Sequence, residues 1–254
     1  MLNKYSLFDS HMHIIDKRFP LVPNNGYLPE EFTYQEYLKR MSPYDLCGGV
    51  IVSGSFQALD QSYLMDALSH LGKSFVGVTQ LPASVSDCEI QQLNNLGVRA
   101  IRFNLKRGGS EIVTHLSSMA SRVHEITNWH VELYVDSKEL QELFTTIVNL
   151  PAVSIDHLGL SKSGFKLLSQ LAEKGVKIKA TGFSRVDFNV TKALKELYTI
   201  NPSSLMFGSD LPSTRAPTPY SDNDFIRVAE TLGEDAAIKV FSKNAIEFYK
   251  PKNN

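Results

Sequence analysis

Short apolar runs alternate with longer amphipathic stretches along the whole chain. Eight runs, at residues 6–10, 49–53, 75–79, 98–103, 131–135, 152–156, 176–181 and 205–209, are rich in Val, Ile and Phe. They read as strands buried on both faces. Between them lie stretches 30–46, 60–71, 85–96, 112–127, 138–150, 164–174, 189–199 and 221–232, where apolar residues recur at three- and four-residue spacing. That period predicts amphipathic helices. Gly72, Gly97 and Gly175 each fall just before a strand, where a helix-ending glycine is expected. A last helical stretch, 236–249, is expected to pack across the exterior.

Eight strands alternating with eight helices predict parallel βα units. A doubly wound open sheet also alternates, but it usually has fewer repeats and a glycine-rich first turn. Here the first strand runs into Asp9-Ser10-His11-Met12-His13, without phosphate-binding glycines. The count favours a single-domain (β/α)₈ TIM barrel over residues 1–254, and 254 residues is close to the ~250 typical of that fold.

Charge removes some partners from consideration. With 26 Lys plus Arg against 27 Asp plus Glu, the net charge is −1, which argues against nucleic acid or an anionic membrane. Cys47 and Cys88 lie in stretches that read as helical, lack CxxC spacing, and read as small core or surface residues of a reducing compartment. The N-terminus lacks an apolar signal core, and no run of 18 apolar residues occurs. A cytoplasmic protein is therefore expected, as a monomer or homodimer.

Catalytic groups of a TIM barrel sit at the C-terminal ends of its strands. Strand one ends in His11-Met12-His13, whose two imidazoles share a face because strand side chains alternate. Strand six ends in Asp156-His157-Leu158-Gly159, and strand eight in Gly208-Ser209-Asp210-Leu211-Pro212. Each piece alone has a structural explanation: a satisfied histidine, or an aspartate shaping a turn. Their joint placement points to three imidazoles and a carboxylate meeting at one mouth of the barrel.

Three of these segments, Phe8 to His13, Ile155 to Gly159 and Phe207 to Pro212, resemble the amidohydrolase superfamily. Together with Gly97 to Asn104 and Lys179 to Arg185, they resemble its branch of lactonases acting on 2-pyrone-4,6-dicarboxylate, sulfomuconolactone and sugar acids. The resemblance implies a hydrolase that opens a carboxylated lactone. Asp210 would be general base on water, with His11, His13 and His157 polarising the carbonyl. Binuclear members carry a metal-bridging residue on strand four and a histidine on strand five. This chain has Arg102 at the first and Glu132, Tyr134 and Asp136 at the second. That leaves His11, His13, His157 and Asp210 for at most one divalent ion, zinc being the best match. The pyrone-dicarboxylate lactonases can work without metal, and a metal-independent site is the expectation here.

A small carboxylated substrate needs cationic partners. Arg102, Arg185 and Arg215 fall at strand ends, and a guanidinium pairs bidentately with carboxylates. Tyr134 matches a tyrosine that the lactonases place near substrate. Lys106 and Arg107 are weaker candidates, because their spacing from Arg102 departs from the family pattern. Ser53, with Ser55 and Thr79, is placed to add hydrogen bonds. Loops 16–29 and 212–222 shape the pocket. Two other readings remain open: a metal-dependent decarboxylase of an aromatic or unsaturated acid, and a catalytically silent binding protein.

Overall fold

The computed structural model describes residues 2–252. Eight parallel strands appear in chain order around one sheet: β1 (Ser6–Met12), β2 (Asp45–Val52), β3 (Phe75–Thr79), β4 (Val98–Asn104), β5 (His130–Tyr134), β6 (Val153–Ile155), β7 (Lys177–Ala180) and β8 (Leu205–Phe207). A parallel bridge between Met12 and Leu211 closes β8 onto β1. The expected (β/α)₈ barrel is the fold.

Helices cover the outside: α1 (Tyr34–Met41), α2 (Ser62–Leu71), α3 (Asp87–Asn95), α4 (Leu116–Thr127), α5 (Leu140–Val148), α6 (Phe165–Glu173), α7 (Val190–Ile200) and α8 (Asp222–Leu232). Their starts follow local chemistry. Thr33 and Glu36 form a reciprocal capping box at α1, and Ser86 caps α3. Their apolar faces join strand side chains in one continuous core between the sheet and the helix ring. A second, smaller cluster fills the barrel's inside: Phe8, Val50, Val52, Val76, Val78, Ala100 and Met206.

Two expectations need correction. The stretch 30–46 is not one helix: α1 ends at Met41, and Asp45, Leu46 and Cys47 already belong to β2, so Cys47 is an exposed strand residue. Gly48 and Gly49 follow at once, and residues lacking a side chain hide the start of an apolar run. The stretch 236–249 lies only partly on the outer wall: Ala237, Val240 and Phe241 join the outer core, with Phe241 stacked on Phe225 of α8, but the end of the stretch turns under the barrel. It forms α9 (Glu234–Ile238), a π-helical turn (Lys239–Lys243) and α10 (Asn244–Tyr249). Ala245 and Tyr249 from it join the interior cluster, so α10 stoppers the barrel from below. Among the described residues, no helix is long and apolar enough to cross a membrane.

Candidate active site

The strand ends meet at the opposite mouth from α10. In β1 the pairing register shifts between Asp9 and Met12. Phe8 points into the apolar interior below the shift, and His11 and His13 point inward above it. A bulge of this kind re-aims side chains. Backbone bonds then lock the ends of β1 and β8 together: Asp210 N–H donates to the His11 carbonyl and His13 N–H to the Leu211 carbonyl, both at 2.7 Å. A Cβ on Gly208 would stand 2.6 Å from the His11 nitrogen, so only glycine lets the two strands approach this closely. Beneath them, Asp9 accepts from Ser209 N–H (2.8 Å), Ser209 Oγ (2.6 Å), Tyr37 OH (3.1 Å) and His11 N–H (3.2 Å).

His157 (φ 50°) and Asp210 (φ 59°) both adopt the left-handed region. Side chains bring strain there, and such strain concentrates at functional sites. The result is a tight convergence. Asp210 Oδ1 lies 3.9 Å from His11 Nε2, 3.9 Å from His13 Nε2 and 4.0 Å from His157 Nε2. All four side chains are buried. Asp210 Oδ1 and His11 Nε2 have no hydrogen-bond partner among the described residues. Buried polar atoms are normally paired. These two face a gap that a water or a substrate oxygen would bridge.

Electrostatics sorts their roles. Burial pushes the Asp210 carboxyl up to about 6, while the adjacent Arg185 guanidinium pulls it down. Burial lowers His11 to about 3, with Lys179 acting in the same direction. Burial also holds His13 and His157 well below the usual imidazole value, so all three rings are neutral at physiological pH. His13 Nδ1 is 2.7 Å from the Val52 carbonyl, and His157 Nδ1 is 2.7 Å from Thr181 Oγ1.

Sequence reasoning missed a second tier directly below. Lys179 on β7 is fully buried, 2.5 Å from Glu132 Oε2 and 3.2 Å from His11 Nδ1. Asp156 Oδ2 accepts from Arg102 Nη2 at 2.5 Å, and Tyr249 OH donates to Glu132 Oε2 at 3.0 Å. Burial raises Glu132, against the pull of Lys179. Arg102 and the other cations around Asp156 outweigh burial and hold its carboxyl well below the usual range. The signal available beforehand was strand alternation, which turns Glu132 and Lys179 inward.

The residues expected to bind substrate fall into three groups. Arg102, Tyr134, Arg185 and Arg215 line one pocket with His13, His157 and Arg107. Arg185 is committed to Asp210: its Nε donates to Asp210 Oδ2 at 2.8 Å and its Nη2 to the Thr214 carbonyl at 2.8 Å. Arg102 sits at the pocket floor, with Nη1 on the Ser53 carbonyl (2.6 Å), Nη2 on Asp156, and a buried Nε turned toward Glu132 Oε1 at 3.9 Å. Arg215 binds Asn24 and stacks 4.4 Å over Tyr27, joining loop 212–222 to loop 16–29. Lys106 pairs with Asp136 at 2.8 Å at the outer rim, where Arg107 also lies. Ser53 does not face the pocket, because its hydroxyl pairs with Tyr63 of α2 on the other side of β2. Ser55 lines the pocket instead, and Thr79 is buried away from it.

The amidohydrolase family profile matches residues 8–250. The chain belongs to the amidohydrolase family. It is 29% identical to a 2-pyrone-4,6-dicarboxylate hydrolase of Comamonas testosteroni over 156 residues, 59% of this chain and 51% of that protein, so that match spans about half the relative. It is 24% identical to a 4-sulfomuconolactone hydrolase of Rhizobium radiobacter across 91% of this chain and 85% of the other. Among solved structures, a probable 2-pyrone-4,6-dicarboxylic acid hydrolase of Acinetobacter baumannii superposes with a TM-score of 0.83 at 20% identity, covering 96% and 99% of the two chains. An Agrobacterium tumefaciens protein gives 0.83 at 18% identity over 99% and 98%. At these identities the superpositions speak for the fold.

Amidohydrolases are usually metal-dependent, and this donor set fits a single ion. Ligand atoms of His11, His157 and Asp210 lie within 4.8 Å of one another, and His13 Nε2 faces the same carboxylate oxygen. Two of those atoms are otherwise unpartnered, and the His13 Nδ1 bond to a carbonyl turns its Nε2 lone pair inward. A second group, His11, Glu132 and Asp156, also clusters, but Lys179 and Arg102 already neutralise it.

Proposed function

We propose that this amidohydrolase hydrolyses a lactone bearing one or more carboxylates. The observation that carries the reading is the unpartnered Asp210 Oδ1, ringed by three imidazole nitrogens under a pocket lined with arginines. The lactone hydrolases among the relatives support it, and nothing in the site favours the decarboxylase reading over it.

Water held against Asp210 attacks the lactone carbonyl carbon as Asp210 takes one of its protons. Negative charge gathers on the former carbonyl oxygen, where an imidazole Nε2–H facing it stabilises the charge. Such stabilisation is usually the largest catalytic contribution, worth on the order of 10²–10³ in kcat per donor. The intermediate then collapses, the bond from carbon to the ring oxygen breaks, and Asp210 returns its proton to that oxygen. The product is the ring-opened acid. Arg107 and Arg215 are placed to hold the substrate carboxylates, with Tyr134 alongside.

In this reading the neutral site works without metal. A divalent ion, if bound, would sit among His11, His13, His157 and Asp210 and supply Lewis acidity to the carbonyl. The test is acid release from a panel of carboxylated lactones by the purified protein, with and without chelator. Release that survives chelation supports the reading. Release lost to chelator and restored by zinc overturns the metal-free part alone, and no release from any lactone overturns the function.

A further inference from the structure

The three histidines present the same nitrogen to the site, yet what lies behind each ring differs. We propose that Lys179 fixes His11 in its Nε2–H form, making His11 the hydrogen-bond donor to the lactone oxygen, while His13 is locked in the opposite tautomer and accepts from the attacking water. This rests on the lactonase reading and divides the work within it.

The case for His13 is direct. A backbone carbonyl only accepts, so the 2.7 Å contact with the Val52 oxygen places the proton on His13 Nδ1. The ring is neutral, which leaves Nε2 with a lone pair and no hydrogen. It cannot donate to a developing oxyanion. It can accept from a water that gives its other hydrogen to Asp210 Oδ1, 3.9 Å away.

His11 has the reverse surroundings. Its Nδ1 is 3.2 Å from Lys179 Nζ, closer than to Asp156 Oδ1 (3.4 Å) or Glu132 Oε1 (3.6 Å). A lysine ammonium carries three donors and no acceptor, and this one is wholly buried. Glu132 Oε2 takes one hydrogen at 2.5 Å, and Asp156 Oδ1 at 3.9 Å is beyond hydrogen-bond reach. His11 Nδ1 is the remaining acceptor. A proton on that nitrogen would give the otherwise unpartnered Asp156 Oδ1 a long hydrogen bond at 3.4 Å, but it would set two N–H groups against each other across 3.2 Å and leave the buried Lys179 with one partner. The proton therefore belongs on Nε2, the atom that faces the site without a partner. Thr181 behind His157 is a hydroxyl and serves either tautomer.

Lys179 is thus a positioning residue. It touches neither water nor lactone, and it acts by deciding which face of the His11 ring carries hydrogen.

The test begins with the unaltered protein, metal-free and labelled with ¹⁵N-histidine, in a two-bond ¹H–¹⁵N correlation spectrum. His11→Gln and His13→Gln serve only to assign signals. Expected are the Nε2–H pattern for His11 and the Nδ1–H pattern for His13. A His11 proton on Nδ1, donated to Asp156, overturns the proposal. The second arm is Lys179→Met with Glu132→Gln, which removes both charges of the pair together. It should give His11 a mixed tautomer signature and lower kcat on the order of 10²-fold, with KM little changed, and Lys179→Arg should restore part of the loss. An unchanged His11 signature in the double variant also overturns it. The spectrum needs no substrate, so the expected tautomers without turnover of any lactone would refute the lactonase reading and leave the tautomer assignment standing.

Discussion

Replacing Arg185 with methionine should move the acid limb of the pH profile rather than abolish activity. Arg185 is 8% exposed and holds Asp210 Oδ2 at 2.8 Å. Burial alone lifts the Asp210 carboxyl, and the guanidinium opposes it, leaving the group near about 6. An opposite charge this close lowers a carboxyl by about 1–3 pH units. Without it Asp210 should titrate between about 7 and 9. The sign follows from the role: a general base works as the carboxylate, so activity is present above its pKa and lost as pH falls through it. At pH 7 the base is now roughly nine-tenths ionised. With its pKa near 8 it is roughly one-tenth ionised, so kcat/KM should fall about 10-fold from protonation alone. The deficit should shrink as pH is raised to 9. Any loss of substrate binding adds a constant factor across the profile and does not move the limb. The assay is initial-rate acid release on one opened lactone from pH 5 to 9.5 in wild type and variant, corrected for spontaneous hydrolysis. A limb that stays near 6 in Arg185→Met would refute the assignment of that titration to Asp210.

Other outcomes follow from the same geometry. Asp210→Asn removes the proton acceptor with little change in shape and should lower kcat on the order of 10³-fold or more, at unchanged folding by circular dichroism. Tyr134→Phe should raise KM about 5- to 10-fold with kcat nearly constant, the effect of one hydrogen bond of about 1 kcal/mol to substrate. Asp9→Ala strands the buried donors of Ser209, Tyr37 and His11. At about 1–3 kcal/mol each, the loss should reach at least about 3 kcal/mol in urea unfolding.

The legible part of the molecule is the part written in local pattern. Eight apolar runs at regular spacing admit few architectures, and a barrel puts strand-end polar residues at one mouth whatever the loops do. His11, His13, His157 and Asp210 were therefore readable without knowing a distance. What pattern does not carry is which way a side chain turns once a strand is irregular. Ser53 follows an apolar run as His11 does, yet its hydroxyl points outward to Tyr63. The strand break before Gly48 and Gly49 was lost because glycine adds nothing to a hydrophobic period. The helical period of 236–249 fits its outer half, where Phe241 packs on Phe225, but does not foretell that its end closes the lower mouth, which depends on tertiary fit of Tyr249 and Ala245.

The ionic tier is the instructive omission. Its partners are far apart in sequence: Lys179 to Glu132 spans 47 residues, and Lys179 to His11 spans 168. A lysine inside an apolar strand run nevertheless states a physical problem, since an inward ammonium must find a carboxylate or lose its charge. Glu132 poses the complementary problem on β5. Burying such a pair rarely adds stability over apolar residues of the same volume, and removing one partner alone costs about 3–5 kcal/mol. Stability is thus a poor reason for these charges to lie there. Their position supplies a better one: the tier stands between the apolar plug of Tyr249 and the underside of His11, joined to both by hydrogen bonds of 3.0 and 3.2 Å. An apolar layer would fill the same space, but it could not choose between the two nitrogens of an imidazole. The buried charge is better explained by what it does to the ring above it than by what it adds to the fold.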